Sequence, residues 1–184
     1  MSFYGQKIIP AIRSMKDFEK MLNSSFTYGV MLDIHISQLK SVIDYAKRHD
    51  KKLFVHIDLI QGLGHNEAGT EYVCQELKPY GIISTKGGVI TTAKQKGIVV
   101  AQRAFIIDSN ALNKSIQLVK KTDPDIIEVL PGVISKVIKY VKEETGKTIF
   151  AGGLIDTVEE VEQAIRYGAS AITTSNTELW DVCK

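Results

Sequence analysis

Eight short apolar runs rich in β-branched residues recur along the chain, at residues 8–12, 30–32, 53–57, 81–84, 98–101, 126–130, 148–151 and 171–174. Between most of them lies a segment with helical period. Leu39, Val42, Ile43 and Ala46 are spaced i, i+3, i+4, i+7. Ile134, Val137, Ile138 and Val141 repeat that spacing, and Val158, Val161 and Ile165 follow the same face. Strands that alternate with helices pair through crossovers, and crossovers make them parallel. A count of eight favours a sheet closed on itself over an open, doubly wound one. The expected fold is α/β: a compact (β/α)8 barrel of the TIM type, formed as one domain over residues 1–184. With only 184 residues, the connections must be near minimal length, and the last helix is expected to be stunted.

Start and stop signals agree with this order. Thr157 and Glu160 have the spacing of a capping box. Gly146 and Gly168 stand where left-handed caps end helices. Asp123-Pro124 closes a helix that Ser109 is expected to cap. The longest irregular stretch, residues 61–69, holds three glycines with His65 and Asn66. It reads equally as a lid over the site or as a plain surface loop.

Two of the runs end in small residues: Phe150-Ala151-Gly152-Gly153-Leu154-Ile155 and Ala171-Ile172-Thr173-Thr174-Ser175-Asn176. Main-chain N–H groups at such turns have no bulky side chain in front of them, which suits a phosphate monoester. They also fall where the last two βα-loops of the barrel belong, a common phosphate site in this fold. The other strand ends supply a polar ring: Arg13, Asp33 and His35, His56 and Asp58, Ser84-Thr85-Lys86, Gln102-Arg103, and Glu128. His56 and Asp58 alternate with Val55 and Ile57, so period two places both on one face. Ionisable groups are costly against a helix layer, so the barrel mouth is the favoured location. The same reasoning covers Glu128. Pairing of these carboxylates with Lys86 and Arg103, as mere rim stabilisation, is the competing reading.

Several activities lack their signatures. No G-x-S-x-G turn activates a serine. Carboxylates near a phosphate could suit Mg²⁺, but no local motif such as H-E-x-x-H is present, and neither a metal nor a cofactor is expected. Lys86 with Glu128 or Asp58 would suit an enolising enzyme. A phosphosugar or glycerol-phosphate enzyme, Mg²⁺-dependent or not, is therefore the alternative. Hydrophobic content of 44%, charged content of 24% and a net charge of +2 describe an ordinary globular chain rather than a dedicated nucleic-acid binder. Cys74 and Cys183 form neither a metal spacing nor a disulfide framework, and Cys74 is expected to be a buried small hydrophobe. With no basic-then-apolar start and no membrane-length apolar run, a cytoplasmic protein of bacterial type, without a membrane partner, is expected. Lys47, Arg48, Lys51 and Lys52 cluster at one helix-to-strand connection. Lys136, Lys139 and Lys142 recur at helical spacing, as do Lys114 and Lys121; such runs are usually solvated helix faces.

Taken together, Ile9-Pro10-Ala11-Ile12-Arg13, Leu32-Asp33-Ile34-His35, Val55-His56-Ile57-Asp58-Leu59-Ile60-Gln61-Gly62, Ile83-Ser84-Thr85-Lys86, Glu128-Val129-Leu130-Pro131-Gly132 and the two C-terminal turns resemble the glycerol uptake operon antiterminator family. The resemblance covers essentially the whole chain. It implies a regulator rather than an enzyme: one that binds glycerol 3-phosphate and acts on the leader mRNA of glycerol-catabolic operons. Carried over by residue, Gly152, Gly153, Thr174, Ser175 and Asn176 would hold the phosphate. Asp33, His56, Asp58, Lys86, Arg103 and Glu128 would face the glycerol end and rim. No known RNA-binding motif matches; Lys47, Arg48, Lys51 and Lys52 are the candidate RNA contacts. A homodimer is left open.

Overall fold

The computed structural model of the chain describes residue 3 and residues 5–183. Among these, eight parallel strands close into a barrel: β1 (Ile8–Ile12), β2 (Tyr28–Met31), β3 (Lys52–His56), β4 (Gly81–Ser84), β5 (Val99–Phe105), β6 (Ile126–Leu130), β7 (Thr148–Gly152) and β8 (Ala171–Thr174). Closure is made by β1 against β8, with Ile8 opposite Ile172 and Ile9 opposite Thr173. Each strand is followed by a helix: α1 (Met15–Leu22), α2 (Ile36–Arg48), α3 (Glu67–Tyr72), α4 (Gly87–Gln95), α5 (Ser109–Thr122), α6 (Ser135–Thr145), α7 (Val158–Arg166) and α8 (Thr177–Val182). All eight sequence-predicted strands are present, and α8 is a helix of six residues, short as expected.

Alternation along the strands builds two cores. Ile9, Ala11, Val30, Leu32, Phe54, Ile83, Ala101, Ile126, Phe150 and Ala171 pack inside the barrel. Phe3 closes this set, its ring 5.1 Å from Tyr28 and 5.0 Å from Phe150. The intervening residues, such as Val55, Ile82, Val100, Ile127, Val129 and Ile149, pack outward with Leu39, Ile43 and Val161 of the helices. Large rings inside so small a barrel demand small neighbours. A Cβ on Gly81 would lie 2.4 Å from the Phe54 ring, so that position accepts no side chain while Phe54 fills the centre.

The predicted helix punctuation is present with two adjustments. Thr157 and Glu160 form the capping box, and Gly146 and Gly168 have φ of +65° and +107°. The N-cap of α5 is Asp108, whose side chain accepts from the Ala111 N–H, while Ser109 is the first helical residue. Val158 lies on the exposed side of α7, and Ala164 joins Val161 in the core instead. A nine-residue helix has room for a narrower buried stripe than the sequence spacing suggests. Cys74 is buried as expected, and burial pushes its thiol up to about 11.

Residues 61–69 are not a free loop. Ile60–Gln61 pairs in parallel with Ile34–His35 as a two-stranded ribbon above the barrel, and Asn66 caps α3 through the Gly69 N–H. A Cβ on Gly69 would meet the Gly64 carbonyl oxygen at 1.9 Å, so the segment is folded tightly on itself.

Candidate ligand-binding site

A cavity of about 320 Å³ opens at the C-terminal end of the strands. Arg13, Arg103, Glu128, Leu130, Gly153, Leu154, Asp156, Thr173, Thr174, Ser175 and Asn176 line it, over a floor that includes Ala11 and Val30. It is bounded by the ends of β1, β5, β6, β7 and β8, the face on which this fold carries its chemistry. Its size falls within the usual range for small-ligand sites.

The fully buried carboxylate of Glu128 is held in an ion pair. Arg103 and Glu128 stand directly opposite in the β5–β6 register, and both follow interior-facing residues, Ala101 and Ile126. Arg103 Nε donates to Glu128 Oε2 at 2.6 Å, with the carboxylate side chain fully buried. Thr173 Oγ1 donates to the other oxygen, Oε1, also at 2.6 Å. A buried carboxylate is tolerated only when its lone pairs are met in this way. Gly152 makes the second bond feasible, since a Cβ there would lie 2.4 Å from Thr173 Oγ1. The first glycine of the pair therefore clears space for the Glu128 network, and the second, Gly153, lines the cavity with φ of +75°.

The E-V-L-P-G and F-A-G-G-L-I segments meet here. The Gly132 N–H donates to the carbonyl oxygens of Gly152, at 2.6 Å, and Gly153, at 3.1 Å. A Cβ on Gly132 would lie 2.8 Å from the Gly152 nitrogen. Leu154 follows with φ of +58°, an uncommon conformation for a residue with a side chain. On the other wall, Thr174 Oγ1 accepts from the Asn176 N–H at 3.0 Å, and Asn176 Oδ1 caps α8 through the Glu178 N–H. Trp180 Nε1 donates to the Thr174 carbonyl and anchors that turn from behind. Asn176 is thus occupied in shaping the turn, leaving Ser175 as its exposed tip. Arg13 projects from the end of β1 with no ion-pair partner among the described residues, and it also borders a neighbouring depression with Leu32, Asp33, Leu59 and Gln61.

Of the residues singled out from sequence, Gly153, Thr174, Ser175, Asn176, Arg103 and Glu128 come together around this one cavity. Asp33 sits in the adjoining depression, where Gln61 Nε2 donates to it at 2.9 Å. Lys86 is the N-cap residue of α4, and its ammonium points to the His65 carbonyl. Asp58 is a correction. Strand β3 ends at His56, and Ile57–Leu59 form a turn of 3₁₀ helix, so period two no longer relates Asp58 to His56. Its carboxylate instead accepts from Ser84 Oγ, Thr85 N and Thr85 Oγ1 at 2.6 to 2.8 Å. Burial alone would push that carboxyl up, but these three donors outweigh it and hold it below its ordinary value.

His56 faces the interior like Phe54 and is 2% exposed. Neither ring nitrogen has a hydrogen-bond partner among the described residues. Burial, aided by the Arg103 charge, pulls its pKa down to about 4, so the ring is neutral at physiological pH. Among the described residues no group of three His, Cys, Asp or Glu is placed to hold a metal.

The basic cluster lies at the other end of the barrel, where β3 begins. Lys51 Nζ donates to the carbonyls of Ser24 and Phe26, both at 2.7 Å, and Lys47 Nζ to that of Leu77. Lys52 lies 5.3 Å and 5.4 Å from the Tyr28 and Tyr80 rings, and Arg48 lies over Tyr45. These cations close off the bottom of the fold, which weakens their candidacy as nucleic-acid contacts. Arg13 is the site residue that the sequence undervalued. Its signal was alternation with the interior-facing Ile9 and Ala11. Leu154 and Asp156 carried no chemical signal at all.

A family model described as glycerol-3-phosphate responsive antiterminator matches residues 8–180. The glycerol uptake operon antiterminator regulatory protein of Listeria monocytogenes is 44% identical in sequence, with a TM-score of 0.96 and 98% of each chain covered. A glycerol uptake operon antiterminator-related protein of Thermotoga maritima is 31% identical, with a TM-score of 0.85, over 96% of this chain and 98% of that one. The Escherichia coli K12 protein YgcP is 29% identical over 177 residues, covering 96% of this chain and 93% of its own length. A match of this extent, on a barrel whose Glu128 and Gly152-Gly153 segments build one cavity, leads to one conclusion: the chain belongs to the glycerol-3-phosphate responsive antiterminator family.

Proposed function

We propose that the protein is a regulator that binds glycerol 3-phosphate in the mouth cavity and, in response, acts on leader mRNA of glycerol uptake and catabolism operons to prevent transcription termination. One observation carries the ligand reading. Two guanidinium side chains, Arg13 and Arg103, converge with the Gly153 and Ser175 turns on a cavity of about 320 Å³. Cations and small-residue turns in one concavity suit a phosphate dianion. The buried floor suits the glycerol end: Glu128 and Thr173 provide polar atoms for hydroxyl groups beyond the phosphate.

The same floor argues against turnover. Both Glu128 oxygens already accept hydrogen bonds, and Asp58 is committed to the loop after β4, so neither is poised as a general base. Calorimetric titration tests the ligand reading. Glycerol 3-phosphate should bind, while glycerol and inorganic phosphate alone should bind far more weakly. Binding of the leader RNA of a glycerol uptake operon should then depend on the ester. RNA affinity that is identical with and without glycerol 3-phosphate, or consumption of the ester by the protein, would refute the reading.

A further inference from the structure

At the end of the barrel opposite the mouth, a depression of about 170 Å³ lies between the end of α2 and the starts of β3 and β4. Lys47, Lys51, Lys52 and Lys78 line it, with Leu53 and Tyr80, and no acidic residue does. The carboxylates adjoining these lysines in sequence are Asp44, Asp50 and Glu76. Asp44 is paired with Lys40 at 2.9 Å, and Lys47 acts on it only through space. Lys47, Lys51 and Lys78 have no ion-pair partner among the described residues. Burial pulls the Lys51 ammonium below its ordinary value, and no carboxylate offsets the shift. Four like charges around one concavity repel one another unless an anion joins them.

Structural duties account for only part of this cluster. Lys47 Nζ donates to the Leu77 carbonyl, and Lys51 Nζ to those of Ser24 and Phe26. An ammonium carries three donors, so two remain on Lys47 and one on Lys51. The last carbonyls of α2 need none of them: Ala46 accepts from the His49 and Lys51 N–H groups, and Lys47 from that of Asp50. Lys78 has no such duty. Its ammonium makes no hydrogen bond among the described residues. Its backbone is left-handed, with φ of 49° and ψ of 58°, at the end of the helical segment that closes with Leu77. Glycine is the usual residue there, so packing and backbone geometry give no reason for a lysine at this position.

We propose that this depression is a second anion site, which takes free phosphate or pyrophosphate on the spare donors of Lys47, Lys51 and Lys78. Ammonium groups are point-charge donors that bind phosphoryl oxygens well. Size separates this ligand from a polymer. The depression holds about 170 Å³, against about 320 Å³ at the mouth, and two of its ammonium groups are tied to carbonyls of the fold. It suits a compact anion and not a strand of nucleotides. The anion would join α2 to the chain entering β3 and β4, and binding to the folded state alone raises stability. Neither the site nor its ligand depends on what occupies the mouth.

The test titrates pyrophosphate into the full chain by calorimetry, with ionic strength held constant by chloride. Gly153→Asp removes the mouth as a competing phosphate site, and pyrophosphate should still bind this variant and raise its melting temperature. Should that variant fail to fold, the native chain with glycerol 3-phosphate saturating the mouth takes its place. Adding Lys78→Gln, which breaks no hydrogen bond among the described residues, should weaken pyrophosphate binding at least about tenfold, the scale of one charge-assisted hydrogen bond. Lys47→Gln on top of it should remove the binding and the thermal shift. Pyrophosphate binding that vanishes once the mouth is blocked, or that survives both lysine changes, overturns the proposal. So does a chain that binds no pyrophosphate but loses leader-RNA affinity with the two lysines, because the depression then meets an RNA backbone instead.

Discussion

Replacing Arg103 by Met isolates the most demanding interaction in the barrel. Glu128 is fully buried, and Arg103 is the cation that compensates it. Methionine keeps much of the arginine volume and removes the charge. The carboxylate then stays inside with only Thr173 Oγ1 as donor. Breaking a buried pair from one side costs about 3–5 kcal/mol, whereas removing both charges is often neutral. Urea unfolding can be followed by Trp180, the single tryptophan of the chain, which is 1% exposed with its indole N–H bonded to Thr174. With an m-value of about 1–3 kcal/mol/M, the midpoint should fall by about 1 M or more. Arg103→Met combined with Glu128→Gln should recover most of the loss, because the amide oxygen still accepts from Thr173. A single variant that loses less than about 1 kcal/mol, the scale of exposed pairs, would show that water reaches Glu128 and that the dry network described above is wrong.

Three further outcomes are expected. Gly153→Asp should abolish glycerol 3-phosphate binding in calorimetry, since it forces a side chain onto a φ of +75° and adds a carboxylate beside the anion; retained affinity would move the phosphate elsewhere. His56 is held near 4 against an ordinary 6.5, so the unfolded chain takes up its proton first as pH falls. Its contribution is therefore complete above pH 6.5 and is lost progressively down to pH 4, a difference of about 3 kcal/mol. His56→Leu should flatten the stability curve measured across that window, and an unchanged slope would mean that the ring is protonated in the fold. Lys51→Met should lower thermal stability by removing donors to two carbonyls, at about 1–3 kcal/mol for the groups left unmet, while leaving RNA affinity untouched; the opposite pattern would restore the basic cluster as an RNA surface.

What could be read from the chain and what could not divide along one physical line. Period two and period 3.6 are local properties, so the eight strands, the helix faces and the Thr157–Glu160 cap were legible residue by residue. The pair of C-terminal turns was legible for the same reason, because small residues after an apolar run mark where backbone is left uncovered. Asp58 shows where this stops. Nothing in Val55-His56-Ile57-Asp58 signals that the strand ends at His56, and one early turn redirects the carboxylate to Ser84 and Thr85. Gly152 was correctly noticed for its missing side chain, but the reason lies in Thr173 and Glu128, on two other strands. Arg103 and Thr173 meet Glu128 from strands 25 and 45 residues away in the chain. Only barrel closure and register decide that Arg103 faces Glu128 and that Lys47, Lys51 and Lys52 bond the opposite end of the fold. Patterning selects the elements and their buried faces; which polar groups meet depends on strand register, a collective outcome of packing that no single segment encodes.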